Sequence, residues 1–185
     1  GTRSLAQLFR KSGYTAAHWR VAGPKGKMNL ARVMKNNLEA GRKPLHRIDH
    51  YAFLSDLECF EEGKIWSGFL HFREIDSAYP GTKFLLNIRE KDNWLQSRLH
   101  HRRYAQWFIA AHNLSGIDAC LAMWSADWDR HLADVRSYFS DRPDDLITFN
   151  IDDDGIDDLI AQLPDFTLYR NAWGHIGQSN PEHVA

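Results

Sequence analysis

The stretch Lys83-Phe84-Leu85-Leu86-Asn87-Ile88 limits the fold more than any other segment of the chain. It is apolar on both of its alternating faces, which a strand tolerates only when both are covered, as in parallel sheets layered between helices. Pro80-Gly81 precedes it and a polar run from Arg89 follows it. Around it, helix-period and strand-like segments alternate. Leu5, Leu8 and Phe9 sit at helical spacing, and Ser12-Gly13 stops that helix before an extended run over 14–19. Gly23-Pro24-Lys25-Gly26 reads as a loop. Leu30, Val33, Met34 and Leu38 mark a second helix closed by Gly41, and residues 44–53 read as a strand. A helix carrying Ile65, Phe69, Phe72 and Ile75 then runs to Pro80-Gly81. Further helices are expected over 92–113 and 125–140, a last strand over 146–151 and a last helix over 156–163. This alternation implies an α/β fold, a central, mostly parallel sheet flanked by helices, with ligands at the carboxyl ends of the strands.

The 185 residues fit one domain, 1–185, with no repeat, low-complexity tract or linker. With 23 basic against 24 acidic residues the chain lacks the positive excess of a dedicated nucleic-acid or membrane-surface protein. Cys59 and Cys120 match no metal spacing and read as reduced thiols in a cytoplasmic setting. No apolar run approaches the roughly 18 residues of a membrane span. His100-His101-Arg102-Arg103 has no carboxylate or cysteine at ligand spacing and reads as a solvated helix face. Asn150-Ile151-Asp152-Asp153-Asp154-Gly155 imitates the start of a calcium loop, but Ala161 stands where the loop needs glutamate. No bound metal is therefore expected. Trp94, Trp107, Trp124, Trp128 and Phe108 read as core, with room for one or two in an apolar acceptor pocket.

Two segments carry chemistry. Gly1-Thr2-Arg3-Ser4-Leu5 places a glycine and two hydroxyls at the start of a helix, whose unpaired N–H groups and positive dipole end suit a phosphate or sulfate. Such loops normally follow a buried strand, so a strand is expected upstream of Gly1, the chain being clipped within its own anion-binding loop. The second segment, Arg89 to Ser97, leaves the buried strand at its carboxyl end. Both segments are thus expected on one rim of the sheet. Arg89 offers a planar fork of donors, Ser97 adds a hydroxyl from the helix that follows, and Asp92 is placed to cap it. Taken alone, Arg89 could equally pair with a surface carboxylate, and Ser97 could be a neutral helix residue.

Tyr79-Pro80-Gly81-Thr82-Lys83-Phe84-Leu85-Leu86-Asn87-Ile88-Arg89, with Asp92, Trp94 and Ser97, resembles the central signature of sulfotransferases that use 3′-phosphoadenosine 5′-phosphosulfate (PAPS). Gly1-Thr2-Arg3-Ser4-Leu5 resembles the second half of that family's 5′-phosphosulfate loop. Val135-Arg136-Ser137-Tyr138-Phe139, Arg142-Pro143 and Leu146-Ile147-Thr148-Phe149 resemble the closing helix and strand of bacterial-type members. The resemblance implies a P-loop-like fold. It implies that Gly1, Thr2, Arg3 and Ser4 hold the 5′-phosphosulfate and that Arg89 and Ser97 hold the 3′-phosphate. Trp173-Gly174-His175 is the nearest counterpart of the family's late loop over the donor. The basic residue that the family usually places just before the loop glycine falls outside this sequence.

The implied activity is transfer of a sulfuryl group from PAPS to a hydroxyl or amine of a small molecule or glycan, leaving 3′,5′-adenosine bisphosphate. That reaction needs an anion cradle, charge relief at the leaving oxygen and a base for the acceptor's proton. Asp56, in Tyr51-Ala52-Phe53-Leu54-Ser55-Asp56, resembles the aspartate ending a strand in bacterial-type members and is the first candidate base; His50 and His71 follow. A P-loop nucleotide kinase would carry Lys-Ser/Thr directly after the loop glycine, where this chain has Thr2-Arg3. A noncatalytic nucleotide-binding relic would keep Arg89 and Ser97 and transfer nothing.

Overall fold

A computed structural model describes residues 1–23, 26–101, 103–174 and 176 of the chain. Helix α1 (Thr2–Lys11) opens it, followed by strands β1 (Ala16–His18), β2 (Arg20–Gly23) and β3 (Gly26–Asn29), then helix α2 (Leu30–Glu39). Strand β4 (Phe53–Ser55) precedes a hairpin of β5 (Glu58–Glu61) and β6 (Lys64–Ser67). Helix α3 (Phe72–Ala78) leads into β7 (Phe84–Ile88). Helices α4 (Lys91–Leu99), α5 (Tyr104–His112) and α6 (Ile117–Tyr138) come next, then β8 (Leu146–Asn150) and α7 (Ile156–Ala161).

The architecture is mixed α/β, but the parallel pairing comes in two short pieces. Strand β1 lies parallel to β4, with Ala16 opposite Phe53, and antiparallel to β2, which continues into β3. Strand β7 lies parallel to β8 with Phe84 opposite Leu146. Among the described residues no ladder joins these two sheets, so the single central sheet expected from the alternation is divided. A cleft of about 880 Å³ is lined by residues from both β4 and β7. Strand β7 itself is half-buried along its length rather than covered on both faces.

Helix α1 forms because Leu5, Leu8 and Phe9 share one face, and all three are buried. Phe9 stacks on Phe53 of β4 at 4.5 Å and meets Phe166 edge-on at 5.2 Å, which fixes the helix against β4 and the C-terminal segment. Asn29 starts α2 by accepting the Arg32 N–H at 2.8 Å. The same side chain donates to the Glu58 carbonyl and so ties β3 to β5. Helices α4, α5 and α6 close around Phe108, Cys120 and Trp124. At the far end of α6, Arg142 and the Tyr138 hydroxyl both bond Asp76 of α3, at 2.9 and 2.8 Å.

Several local expectations are corrected by identifiable bonds. The strand expected over 44–53 shrinks to Phe53–Ser55, because buried Asn37 donates to the carbonyls of both Pro44 and His46 at 3.0 Å and holds the chain in successive turns. Ile65 belongs to a strand and not to the helix of Phe72 and Ile75. Glu62 and Gly63 both take positive φ, the requirement of a two-residue hairpin turn. The long helix expected over 92–113 breaks after Leu99, where His100 Nδ1 bonds the Gln96 carbonyl at 2.7 Å. Helix α6 starts at Ile117, earlier than expected. Asp92 lies inside the first turn of α4, whose cap position is Glu90. Pro24, Lys25, Arg102 and His175, named in the sequence reading, lie outside the described residues. Among the described residues no helix is long and apolar enough to cross a membrane.

Leu8 is fully buried between α1 and the sheet, whereas Ile117 at the start of α6 is 45% exposed. Leu8→Ala should cost about 2–5 kcal/mol of unfolding free energy and Ile117→Ala no more than about 0.5 kcal/mol. Denaturant unfolding checks both, and equal effects would contradict the packing described.

Candidate functional site

The N-terminus of α1 has no side-chain cap and no acidic residue in its first turn, so its leading N–H groups and dipole end are available to an anion. What holds this turn in place is contact with two strands. A Cβ on Gly1 would fall within 2.9 Å of Asn87 Oδ1, so glycine allows α1 to sit directly on the end of β7. On the other side the Ser55 hydroxyl of β4 donates to the Thr2 carbonyl at 3.3 Å. The buried Oδ1 of Asn87 has no hydrogen-bond partner among the described residues. Ser4 is buried, and its hydroxyl accepts the Ile176 N–H at 2.9 Å; that hydroxyl has one proton left to give.

Arg89 follows β7 directly and lies on the same rim. Arg89 and Arg3 both act electrostatically at the Gly1 nitrogen, with Asp152 opposing them, so positive charge converges on this turn. The Arg89 fork is engaged on one edge: Nη2 and Nε reach Asp152 at 2.9 and 3.4 Å. Asp152 also accepts from the Glu90 N–H and from Asn93. Burial alone would push the Asp152 carboxyl up, but these bonds, led by Arg89, hold it below its ordinary value. Guanidinium has five donors, and Nη1 has no partner among the described residues. Ser97 is half-buried in α4, and its hydroxyl makes no hydrogen bond among the described residues.

Asp56 follows β4 with a left-handed backbone (φ 63°) and lines the cleft together with Thr2, Asn87 and Ile88. Burial pushes its carboxyl above the ordinary value and Glu58 adds to this, while His101, Arg3 and Arg98 oppose it. It caps no helix. Its near partner is His18 at the end of β1, with Nε2 3.5 Å from Asp56 Oδ2. His18 was not among the residues singled out from the sequence. The signal available was its place at the end of the extended run over 14–19, whose carboxyl end shares the rim with the other two segments.

His50 and His71 stand elsewhere. His50 is exposed and packs at a tilt against Tyr51; His71 bonds Glu74 at 2.8 Å and stacks on Trp66. Neither lines the cleft. The far wall carries a charged cluster: Arg98 donates to Glu58 and to the Tyr104 hydroxyl, and its guanidinium lies over the rings of Trp94, Tyr104 and Trp124. Trp128, His131 and Phe69 extend this wall. Among the described residues no group of three or more histidine, cysteine and acidic side chains could hold a metal ion.

The arrangement offers an uncapped helix terminus, a second cationic fork on the same rim and a half-buried carboxylate opening into a partly aromatic cleft. Those are the parts an anionic group donor and a proton acceptor require. No curated protein and no solved structure matches the chain. A family model described as a sulfotransferase domain matches residues 1–126, which include α1, β7, Asp56, Arg89 and Ser97. The chain belongs to the sulfotransferase family.

Proposed function

We propose that the chain transfers a sulfuryl group from PAPS to a hydroxyl or amine of a small-molecule or glycan acceptor, as a single P-loop-like domain working in the cytoplasm without a metal. The observation that carries the reading is the convergence of two separate anion sites, the α1 terminus and Arg89, through the contact of Gly1 with Asn87. A donor with phosphate groups at both its 3′ and 5′ ends needs two such sites. The fit has physical support beyond the motif: the α1 terminus is uncapped and one edge of Arg89 is unengaged.

In this reading the backbone N–H groups of Thr2, Arg3 and Ser4 hold the 5′-phosphosulfate, with Gly1 permitting the close approach. The Arg3 side chain adds charge. Arg89 and Ser97 hold the 3′-phosphate, with Asp152 fixing the plane of the guanidinium. These fixed donors relieve the charge that builds on the leaving oxygen, and they do so without reorganising during the reaction. Asp56 takes the acceptor's proton; its raised pKa makes it a better base than an ordinary surface carboxylate. The aromatic wall of Trp94, Trp128 and Phe69 covers the acceptor side and keeps water out.

The chain should bind 3′,5′-adenosine bisphosphate more tightly than adenosine monophosphate or ATP, as read by calorimetry; equal affinity for the monophosphate and the bisphosphate contradicts a second phosphate site. Arg89→Ala should cost about 2–4 kcal/mol in bisphosphate binding and Ser97→Ala about 1 kcal/mol. If Arg89→Ala instead lowers thermal stability and leaves affinity unchanged, the Arg89–Asp152 pair is only structural. Asp56→Asn should leave bisphosphate affinity and folding nearly intact and reduce turnover by about a hundredfold. Unchanged turnover removes Asp56 from the reaction.

A further inference from the structure

One order of protons makes both contacts of the Ser55 hydroxyl hydrogen bonds. The Thr2 carbonyl can only accept, so the single Ser55 hydroxyl proton goes to it. Ser55 Oγ is then the acceptor in its 3.3 Å contact with His18 Nδ1, which places the imidazole proton on Nδ1. A neutral imidazole carries one such proton, so Nε2 is bare. It is Nε2 that faces Asp56 Oδ2 at 3.5 Å. A lone pair facing a carboxylate is unfavourable until a proton enters between them. The dyad is therefore built to receive one.

We propose that His18 and Asp56 form a proton-accepting dyad, in which Asp56 meets the acceptor and His18 is a positioning residue whose tautomer is fixed, through Ser55, by the Thr2 carbonyl of the anion-binding turn. This rests on the sulfuryl-transfer reading above. As the acceptor oxygen bonds to sulfur, the bond from sulfur to the bridging phosphate oxygen breaks and its electron pair leaves on the phosphate. The acceptor's proton passes to Asp56 and is held there by a hydrogen bond to Nε2. His18 itself does not line the cleft, whereas Asp56 does.

The electrostatic surroundings agree with this order. Burial first, then Arg3 and Arg10, push His18 down to about 4, so it stays neutral near neutral pH. The groups facing Asp56 are Glu58 of β5, Arg98 of α4, His101 beyond α4, Arg3 of α1 and His18 of β1. Because Thr2 belongs to the same turn that would hold the donor, the state of the base is tied to the geometry of the donor site.

The test is NMR of the chain bound to 3′,5′-adenosine bisphosphate, with labelled imidazole nitrogens and carboxyl carbons. The expected result is a neutral His18 protonated on Nδ1, with Asp56 titrating above an ordinary aspartate. In His18→Phe the Asp56 titration should move down by about one pH unit, because the lone pair that opposes ionisation and accepts from the acid is gone. Consumption of PAPS with water as acceptor should fall about tenfold, while bisphosphate affinity stays within about threefold. Should His18→Phe fail to fold, Ser55→Ala serves instead: with Nδ1 released, the proton moves to Nε2 and the Asp56 titration again falls. A wild-type proton on Nε2, or an Asp56 titration that neither variant moves, overturns the dyad. A wild-type chain that neither binds the bisphosphate nor consumes PAPS removes the sulfuryl-transfer reading instead, and the tautomer is then read in the free chain.

Discussion

Everything in the candidate site depends on the seating of one helix end. Gly1 lies against Asn87 of β7, Thr2 is bonded by Ser55 of β4, and Phe9 stacks on Phe53 about two turns further along. The anion-binding end of α1 is thereby held between two strands that belong to different sheets. With the turn away from Arg89 there would be two weak anion sites in place of one bidentate cradle. A helix terminus favours a negative group by about 0.3–1 kcal/mol near the surface. Tight binding therefore requires Arg89 and the terminus to act on the same molecule.

The charges around this turn are arranged with opposite effects on two neighbouring groups. Arg3 helps to hold His18 neutral and, at the same time, opposes the rise of the Asp56 pKa. Burial dominates both shifts, so the two groups are driven away from charge together. Beside Arg89, Asp152 is held ionised by that cation and two further donors. A carboxylate kept charged beside a cation orients it; one pushed toward neutrality beside a neutral imidazole takes up a proton.

How much of this was legible in the sequence differs from element to element. Strand β7 and helices α1 and α2 were readable because a single local rule, apolar spacing closed by a glycine turn, decided each of them. The segment over 44–53 was not, since its conformation is set by Asn37, seven and nine residues away, through bonds no periodicity reports. The β5–β6 hairpin announced itself only in Glu62-Gly63, and the apolar Ile65 and Phe69 imitated helical spacing across it. Arg89 and Asp56 stood out as motif residues. His18 did not, because its importance comes from β1 pairing with β4 in register, His18 opposite Ser55, a long-range fact. Asp152 stood out only as part of an imitation of a calcium loop, and only the fold brings it onto Arg89.

The central claim is that the α1 terminus and Arg89 are two halves of one nucleotide site. A crystal structure of the chain with 3′,5′-adenosine bisphosphate tests it most directly. The account predicts the 5′-phosphate on the backbone N–H groups of Thr2 to Ser4, and the 3′-phosphate on the open edge of Arg89 with Ser97 beside it. A bisphosphate seated with either phosphate away from these groups, or with Arg89 still turned wholly to Asp152, would contradict it.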